Sequence, residues 1–318
     1  VHVIPRPTID FATIIYIKTD IQPPKLVIYF LYATLQYSPL REVKQNHHLN
    51  QPYLPSPHLK KNPLIMTIST DNKVYVVTGA NRGIGLGLVK SLLTRTNTTI
   101  LATVRNTEAA TSLKSDSAAI TPGSASTLHI IELDFTTAIS PEKIRQAIPT
   151  TIPHIDVLIA NAGWATSMKT ATETTAEDLR TSFEINTIAP LLTFQAFWPL
   201  LQKSSTPKFI AITSSVGSIA DQEPVPGGAY GPSKAALNWL TMALHVQNEE
   251  EGLVAVALHP GWVKTRSGDF AVKEWNYPDE PPVTVEDSVA GILKVTDEAT
   301  RETSSGKFVT FGGDELRW

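Results

Sequence analysis

The chain has 318 residues, 42% of them hydrophobic and 18% charged, with a formal net charge of −3 and no cysteine. That balance is globular and argues against a nucleic-acid binder, which needs a basic face. The missing cysteine excludes a disulfide scaffold, a thiol nucleophile and a cysteine-based zinc site, and fits a reducing, cytoplasmic setting.

Residues 1–65 differ from the rest. They hold none of the 17 glycines but 9 of the 23 prolines, and seven Lys/Arg against three Asp/Glu, a charge of +4 that leaves −7 for residues 66–318. Without glycine few tight turns are accessible, and no helical or strand period is sustained. The expectation is a disordered or non-native leader, with Met66, the first methionine, as the true start of an oxidoreductase domain at 66–318. The apolar run Leu26–Leu35 falls short of the ~20 residues of a membrane span and lacks the context of a secretory signal, so no membrane partner is expected.

From Met66 onward, short apolar runs alternate with helical patterns. Strands are expected at Val74–Thr78, Ile100–Val104, Leu128–Leu133, Val157–Ala160, Phe209–Thr213, Val254–Leu258 and Phe308–Phe311. Near-continuous apolar runs suit strands buried on both faces. Ser140 before Pro141 reads as a helix start. Thr174 with Glu177 reads as a capping box opening a long helix to about Lys203. Thr284 before Glu286 and Asp287 reads as a third start. Such alternation predicts an α/β protein with a doubly wound, parallel seven-stranded sheet and helices on both faces.

The first strand runs into a glycine turn, VYVVTGANRGIGLGL over Val74–Leu88. Gly79, Gly83 and Gly85 let backbone N–H groups approach a pyrophosphate at a helix N-terminus. After the second strand stands Arg105, where an NAD enzyme carries an acid; Arg82 is a second cation in the turn. Arginine pairs with phosphate through charge-assisted hydrogen bonds, so NADP (NADPH) is the expected cofactor. Tyr230 and Lys234 lie four apart and share a helix face. A nearby ammonium lowers a phenol's pKa towards the range where acid–base catalysis works.

The order TGxxxGxG, Asp134, Asn161-Ala162-Gly163, Asn186, Ser214, Tyr230-Gly-Pro-Ser-Lys234, Pro260-Gly261 and Thr265 resembles the short-chain dehydrogenase/reductase family in its compact, Rossmann-type form. The segments HPGWVKT, FGGDELRW and SSVGSI further resemble fungal ketoreductases of the norsolorinic acid type. The resemblance implies that Tyr230 is the acid–base and that Lys234 supports it and binds the nicotinamide ribose. Ser214 would stabilise the substrate oxygen, and Asn186 would hold a water in a proton relay. Thr213 and Ser215 compete with Ser214, which Gly217 three residues on selects; Ser215 stays as the alternative.

For the cofactor the resemblance implies contacts from Gly79, Asn81, Arg82, Gly83, Ile84 and Gly85 in the turn, and from Arg105. Asp134 would bind the adenine, and Asn161, Ala162 and Gly163 would pass beneath the cofactor. Pro260, Gly261, Val263 and Thr265 would meet the nicotinamide end. The segment from Arg266 to Pro282 would cover the substrate, with Phe270, Trp275 and Tyr277; Trp164 and Trp262 would line the same cleft. Aromatic walls suit a hydrophobic, flat carbonyl substrate.

The expected activity is NADPH-dependent reduction of a ketone or aldehyde, including an aromatic polyketide-type ketone. Alcohol oxidation through the same residues is the alternative, and a non-catalytic NADP-binding sensor is disfavoured because all four catalytic residues are present. A serine hydrolase lacks its GxSxG elbow. No metal is required: His2, His47, His48 and His58 lie in the first 65 residues, and His259 reads as packing or capping. A homodimer or homotetramer paired through the helices of Asn186 and Tyr230 is implied by resemblance.

Overall fold

The structure, a computed structural model, describes residues 72–166 and 168–318. The expected leader and its apolar run lie outside the described residues.

Eight strands form one sheet in the order β3-β2-β1-β4-β5-β6-β7-β8. They are β1 (Lys73–Val77), β2 (Thr98–Val104), β3 (Thr127–Glu132), β4 (Val157–Ala160), β5 (Lys208–Ile212), β6 (Val254–His259), β7 (Phe308–Thr310) and β8 (Glu315–Leu316). The first seven are mutually parallel and match the seven apolar runs to within a residue or two. The eighth is a correction to the seven-stranded expectation. The last residues turn at Gly313 (φ +97°) and pair antiparallel with β7, Phe308 opposite Leu316. Two residues are too few to show a strand period in sequence.

The apolar runs are continuous because both faces are covered. Tyr75, Val77, Ile210 and Ile212 pack with α1 (Gly83–Leu93), α2 (Thr107–Ala118) and α8 (Val285–Glu298). Val74, Val76, Phe209 and Ala211 pack on the other face with α3 (Pro141–Gln146), α5 (Ala189–Leu201) and α6 (Tyr230–Gln247). Each fully buried Phe or Leu contributes about 1.5–3 kcal/mol. Among the described residues no helix is long and apolar enough to cross a membrane.

Ser140 caps α3 and Thr284 caps α8, as their sequences predict. The third cap moves by one residue. The Thr174 hydroxyl donates back to the Thr170 carbonyl (2.9 Å). Thr175 takes its place, accepting the Asp178 N–H (3.1 Å) while the Asp178 carboxylate accepts the Thr175 N–H (3.4 Å). The predicted long helix is also broken into α4 (Ala176–Phe183), a π-helical turn at Glu184–Ile188 and α5. A further helix, α7 (Arg266–Glu274), lies in the segment after β6, where only a covering excursion was expected.

The strand order reverses between β1 and β4, which are hydrogen-bonded neighbours (Val76 beside Leu158). Open α/β sheets bind ligands beyond the carboxyl ends of their strands at such a switch point.

Candidate active site

A cleft of about 930 Å³ opens there. The glycine turn forms one end. Gly79 has φ +65°, and a Cβ on Gly85 would stand 2.2 Å from the Gly79 carbonyl oxygen, so the turn closes only around glycine. Thr78, unremarked in the sequence, props it: its hydroxyl accepts the N–H groups of Asn161 (3.0 Å) and Ala162 (2.9 Å). The Asn161 amide donates to the Thr78 and Gly79 carbonyls, so this side chain braces the turn.

Arg82 and Arg105 both line this end. One terminal nitrogen of Arg82 is buried with no hydrogen-bond partner, as is the Thr103 hydroxyl. A buried guanidinium N–H is costly to leave unmade, so this corner is built for an acceptor it does not supply itself. Together with a turn too tight for any side chain, that fits a phosphate-bearing dinucleotide. Asp134 lies nearby; hydrogen bonds from the Thr136 hydroxyl (2.6 Å) and N–H (2.9 Å), then the charge of Arg105, hold its carboxyl below its ordinary pKa.

The middle of the cleft holds Ser214, Tyr230 and Lys234. Tyr230 opens α6 and Lys234 follows one turn on, its ammonium 5.5 Å from the centre of the phenol ring. The Lys234 ammonium donates to the Ile212 carbonyl at 2.8 Å. Ser214 stands two residues past the end of β5 and caps a 3-10 turn, Ser215–Gly217, that packs directly on α6. A Cβ on Gly217 would lie 2.9 Å from the main chain of Lys234 and Ala235, so glycine there brings Ser214 up to the phenol.

Burial controls the titration of both partners. It pushes the Tyr230 phenol up to about 12, with the Ser214 hydroxyl acting the other way. It pushes the Lys234 ammonium down to about 8. The sequence-based expectation of a lysine-lowered phenol pKa is therefore corrected: desolvation of the phenolate sets the direction, opposed by the Ser214 hydroxyl, while the ammonium spends its hydrogen bond on the Ile212 carbonyl. His259 accepts the Ser215 N–H through Nδ1 (3.1 Å), and burial lowers it to about 4. It is a neutral brace for the serine strand end.

Of the residues singled out from sequence, Gly79, Asn81, Arg82, Gly83, Ile84, Gly85, Arg105 and Asp134 line the cleft. So do Asn161, Ala162, Gly163, Ser214, Tyr230, Lys234, Pro260, Gly261, Val263 and Thr265. Ser215 lines it too, and Thr265 also caps α7 by accepting the Gly268 N–H (3.2 Å). Asn186 stands behind the wall, fully buried in the π turn. Its amide donates to the Trp164 carbonyl (2.8 Å) and the Ser233 hydroxyl (3.0 Å), and its oxygen accepts the Trp164 N–H (2.8 Å).

The far end of the cleft carries Trp164, Trp262 and Trp275, with Met168. The Trp262 ring meets Trp275 edge-on at 5.4 Å between centroids and Tyr277 at 4.7 Å. Phe270 and Tyr277 are not in the lining, contrary to the reading that grouped them with Trp275; Tyr277 backs Trp262 instead. Three hydrogen bonds join the surrounding segments in a closed circuit. The Glu274 carboxylate of α7 accepts the Met168 N–H (2.8 Å). The Lys169 carbonyl accepts the Gly228 N–H (3.0 Å). The Trp275 indole donates to the Pro226 carbonyl (2.9 Å). Glu274 and Met168 carry no local sequence signal, since their partners are more than a hundred residues apart.

Comparison with known proteins agrees with this geometry. The family profile described as short chain dehydrogenase matches residues 73–274. A short-chain dehydrogenase of Pyricularia oryzae is 38% identical over 251 residues, 76% of this chain and 97% of that protein. A norsolorinic acid ketoreductase of Aspergillus parasiticus is 37% identical over 255 residues, 78% of this chain and 92% of that one. Among solved structures, the NADPH-bound carbonyl reductase from chicken fatty liver is 35% identical with a TM-score of 0.67, over 78% of this chain and 99% of that one.

Proposed function

The chain belongs to the short-chain dehydrogenase family, and we propose that within it this protein is an NADPH-dependent carbonyl reductase acting on a hydrophobic, aromatic ketone. The observation that carries the reading is the gathering of the Tyr230 phenol, the Lys234 ammonium and the Ser214 hydroxyl in one cleft with the Gly79–Gly85 turn.

NADPH, when bound, supplies the hydride. Arg82 and Arg105 hold its 2′-phosphate, and the glycine turn receives the pyrophosphate. Ser214 donates a hydrogen bond to the carbonyl oxygen as negative charge develops on it. Tyr230 delivers the proton to that oxygen. A phenol that desolvation keeps protonated is in the form that donates to the carbonyl oxygen, while the direction of net flux follows the ratio of reduced to oxidised cofactor. The Lys234 ammonium stabilises the phenolate left behind and binds the nicotinamide ribose. Both amide hydrogens of Asn186 are committed and its side-chain oxygen accepts the Trp164 N–H, so any water in a proton relay to Lys234 would have to use that oxygen's remaining lone pair. Trp164, Trp262 and Trp275 give the flat ketone its wall. The names of the chicken reductase and the Aspergillus ketoreductase point the same way. A cytoplasmic location fits the reduced cofactor, and pairing of copies through α5 and α6 belongs to the same proposal.

The test is NADPH oxidation across aromatic and aliphatic ketones, wild type against Tyr230→Phe. Aromatic ketones should be reduced, and Tyr230→Phe should lose about 10²–10⁴-fold in kcat while still binding NADPH by fluorescence titration. A Tyr230→Phe variant as active as wild type would sink the mechanism. Equal turnover of small aliphatic ketones would remove the aromatic part.

A further inference from the structure

Glu223 lines the cleft three residues before Pro226, whose carbonyl holds the Trp275 indole of the aromatic end. The other acids in the lining, Glu108 and Asp134, sit beside Arg105 at the opposite end. Of the cations in the lining, the Lys264 ammonium is paired with Glu280 (3.0 Å), and Arg266 follows Thr265, whose methyl group packs against Gly83. Glu223 is half-buried and has no hydrogen-bond or ion-pair partner among the described residues.

Its loop is anchored on both sides. Upstream, the Asp221 N–H donates to the Ser218 hydroxyl (2.9 Å), and the Asp221 carboxylate pairs with Arg317 of the C-terminal tail. The Ser218 hydroxyl in turn donates to the Arg317 carbonyl (2.9 Å), and the Ala220 N–H to that of Trp318 (2.8 Å). Downstream, Pro226 holds the Trp275 indole and Gly228 is tied to Lys169. Glu223 thus stands three residues from the carbonyl that positions Trp275, on a segment stiffened further by Pro224 and Pro226.

An aromatic ketone that fills this end strips water from the carboxylate. Burying an ionised group without a replacement partner is costly, and the chain offers none. Resting on the carbonyl-reductase reading, we propose that Glu223 is a specificity-determining residue that accepts a hydrogen bond from a donor group on the part of the substrate remote from its carbonyl. The substrate class is then an aromatic ketone bearing a hydroxyl or a protonated amine. A carboxylate or sulfonate at the same position meets like-charge repulsion.

The experiment compares aryl ketones that differ only at a ring position remote from the carbonyl: unsubstituted, hydroxyl, aminomethyl and carboxylate. Ratios of kcat/KM are read for wild type, Glu223→Gln and Glu223→Ala, with NADPH affinity by fluorescence as a check on folding. Wild type should prefer the hydroxyl or amine ketone over the unsubstituted one by about tenfold or more, with the carboxylate ketone last. Glu223→Ala should bring the ratio close to one. Glu223→Gln should keep a hydroxyl preference and lose an amine preference. Ratios in Glu223→Ala within twofold of wild type, or no donor preference in wild type, overturn the assignment while leaving ketone reduction intact. Failure of wild type to reduce any ketone despite binding NADPH removes the carbonyl-reductase reading instead, and this assignment with it.

Discussion

The Lys234 ammonium lies 5.5 Å from the centre of the Tyr230 ring, yet its hydrogen bond goes to the Ile212 carbonyl. Lys234 is buried and Tyr230 half-buried, and desolvation moves them in opposite directions, the ammonium down to about 8 and the phenol up to about 12. Below pH 8 the site holds a phenol and an ammonium. Above it, Lys234 loses its proton long before Tyr230 does. The alkaline fall in kcat/KM for ketone reduction should therefore begin near pH 8 and belong to Lys234. Lys234→Arg, whose guanidinium does not titrate in this range, should show whatever activity it keeps without that limb up to about pH 10. A limb unmoved by the substitution would assign it elsewhere.

Arg82 and Arg105 line the glycine-turn end of the cleft and are the cations proposed to hold the 2′-phosphate. Arg105→Ala should lower the preference for NADPH over NADH by about 10- to 100-fold, as loss of a charge-assisted hydrogen bond of about 1.5–3 kcal/mol implies. Binding titrations and kcat/KM with each cofactor measure it. Arg82→Ala should cost more, because its guanidinium is the one with a buried, unmet nitrogen. An unchanged ratio in both variants would disprove the NADP assignment.

Gly85→Ala probes the turn. Its Cβ would meet the Gly79 oxygen at 2.2 Å and the Asn161 amide nitrogen at 2.7 Å, both fixed by the Thr78–Asn161 brace. Overpacking of this kind costs about 1–3 kcal/mol. The expected outcome is a lower Tm and NADPH binding weakened at least tenfold, read by thermal melts and fluorescence. Wild-type affinity in this variant would show that the turn can relax.

Glu274→Ala opens the circuit around the aromatic end by freeing the Met168 N–H. Amide exchange should speed up at Met168 and across Arg266–Glu274. The ketone KM should rise several-fold with a smaller effect on kcat, leaving NADPH affinity unchanged. Glu274→Gln keeps an acceptor oxygen and should restore most of the loss. Exchange rates equal to wild type would mean that α7 is held by Trp275 alone.

Much of the site was legible because it is local. The glycine turn, the four-residue step from Tyr230 to Lys234 and Gly217 after Ser214 are short-range patterns, and each has a steric or helical reason that holds wherever the segment sits. The sheet was legible because buried parallel strands read as apolar runs. Thr174 misled because both it and Thr175 can cap; the hydrogen bond from Thr174 back to Thr170 settles which one does. The break at Asn186 did carry a local signal that went unread: Pro190 has no N–H for the Asn186 carbonyl four residues back, while the grip of the Asn186 side chain on Trp164 and Ser233 spans 22 and 47 residues.

Residue order alone therefore specified the chemical groups, their spacing and the elements that carry them, since propensity, helical period and turn sterics act over a few positions. The fold settled three further matters: how far burial displaces Tyr230 and Lys234, which aromatic rings face the cleft, and how Glu274 and the loop carrying Glu223 are tied to segments remote in sequence. Those depend on desolvation and on contacts that exist only once distant stretches are packed together, which no local pattern encodes.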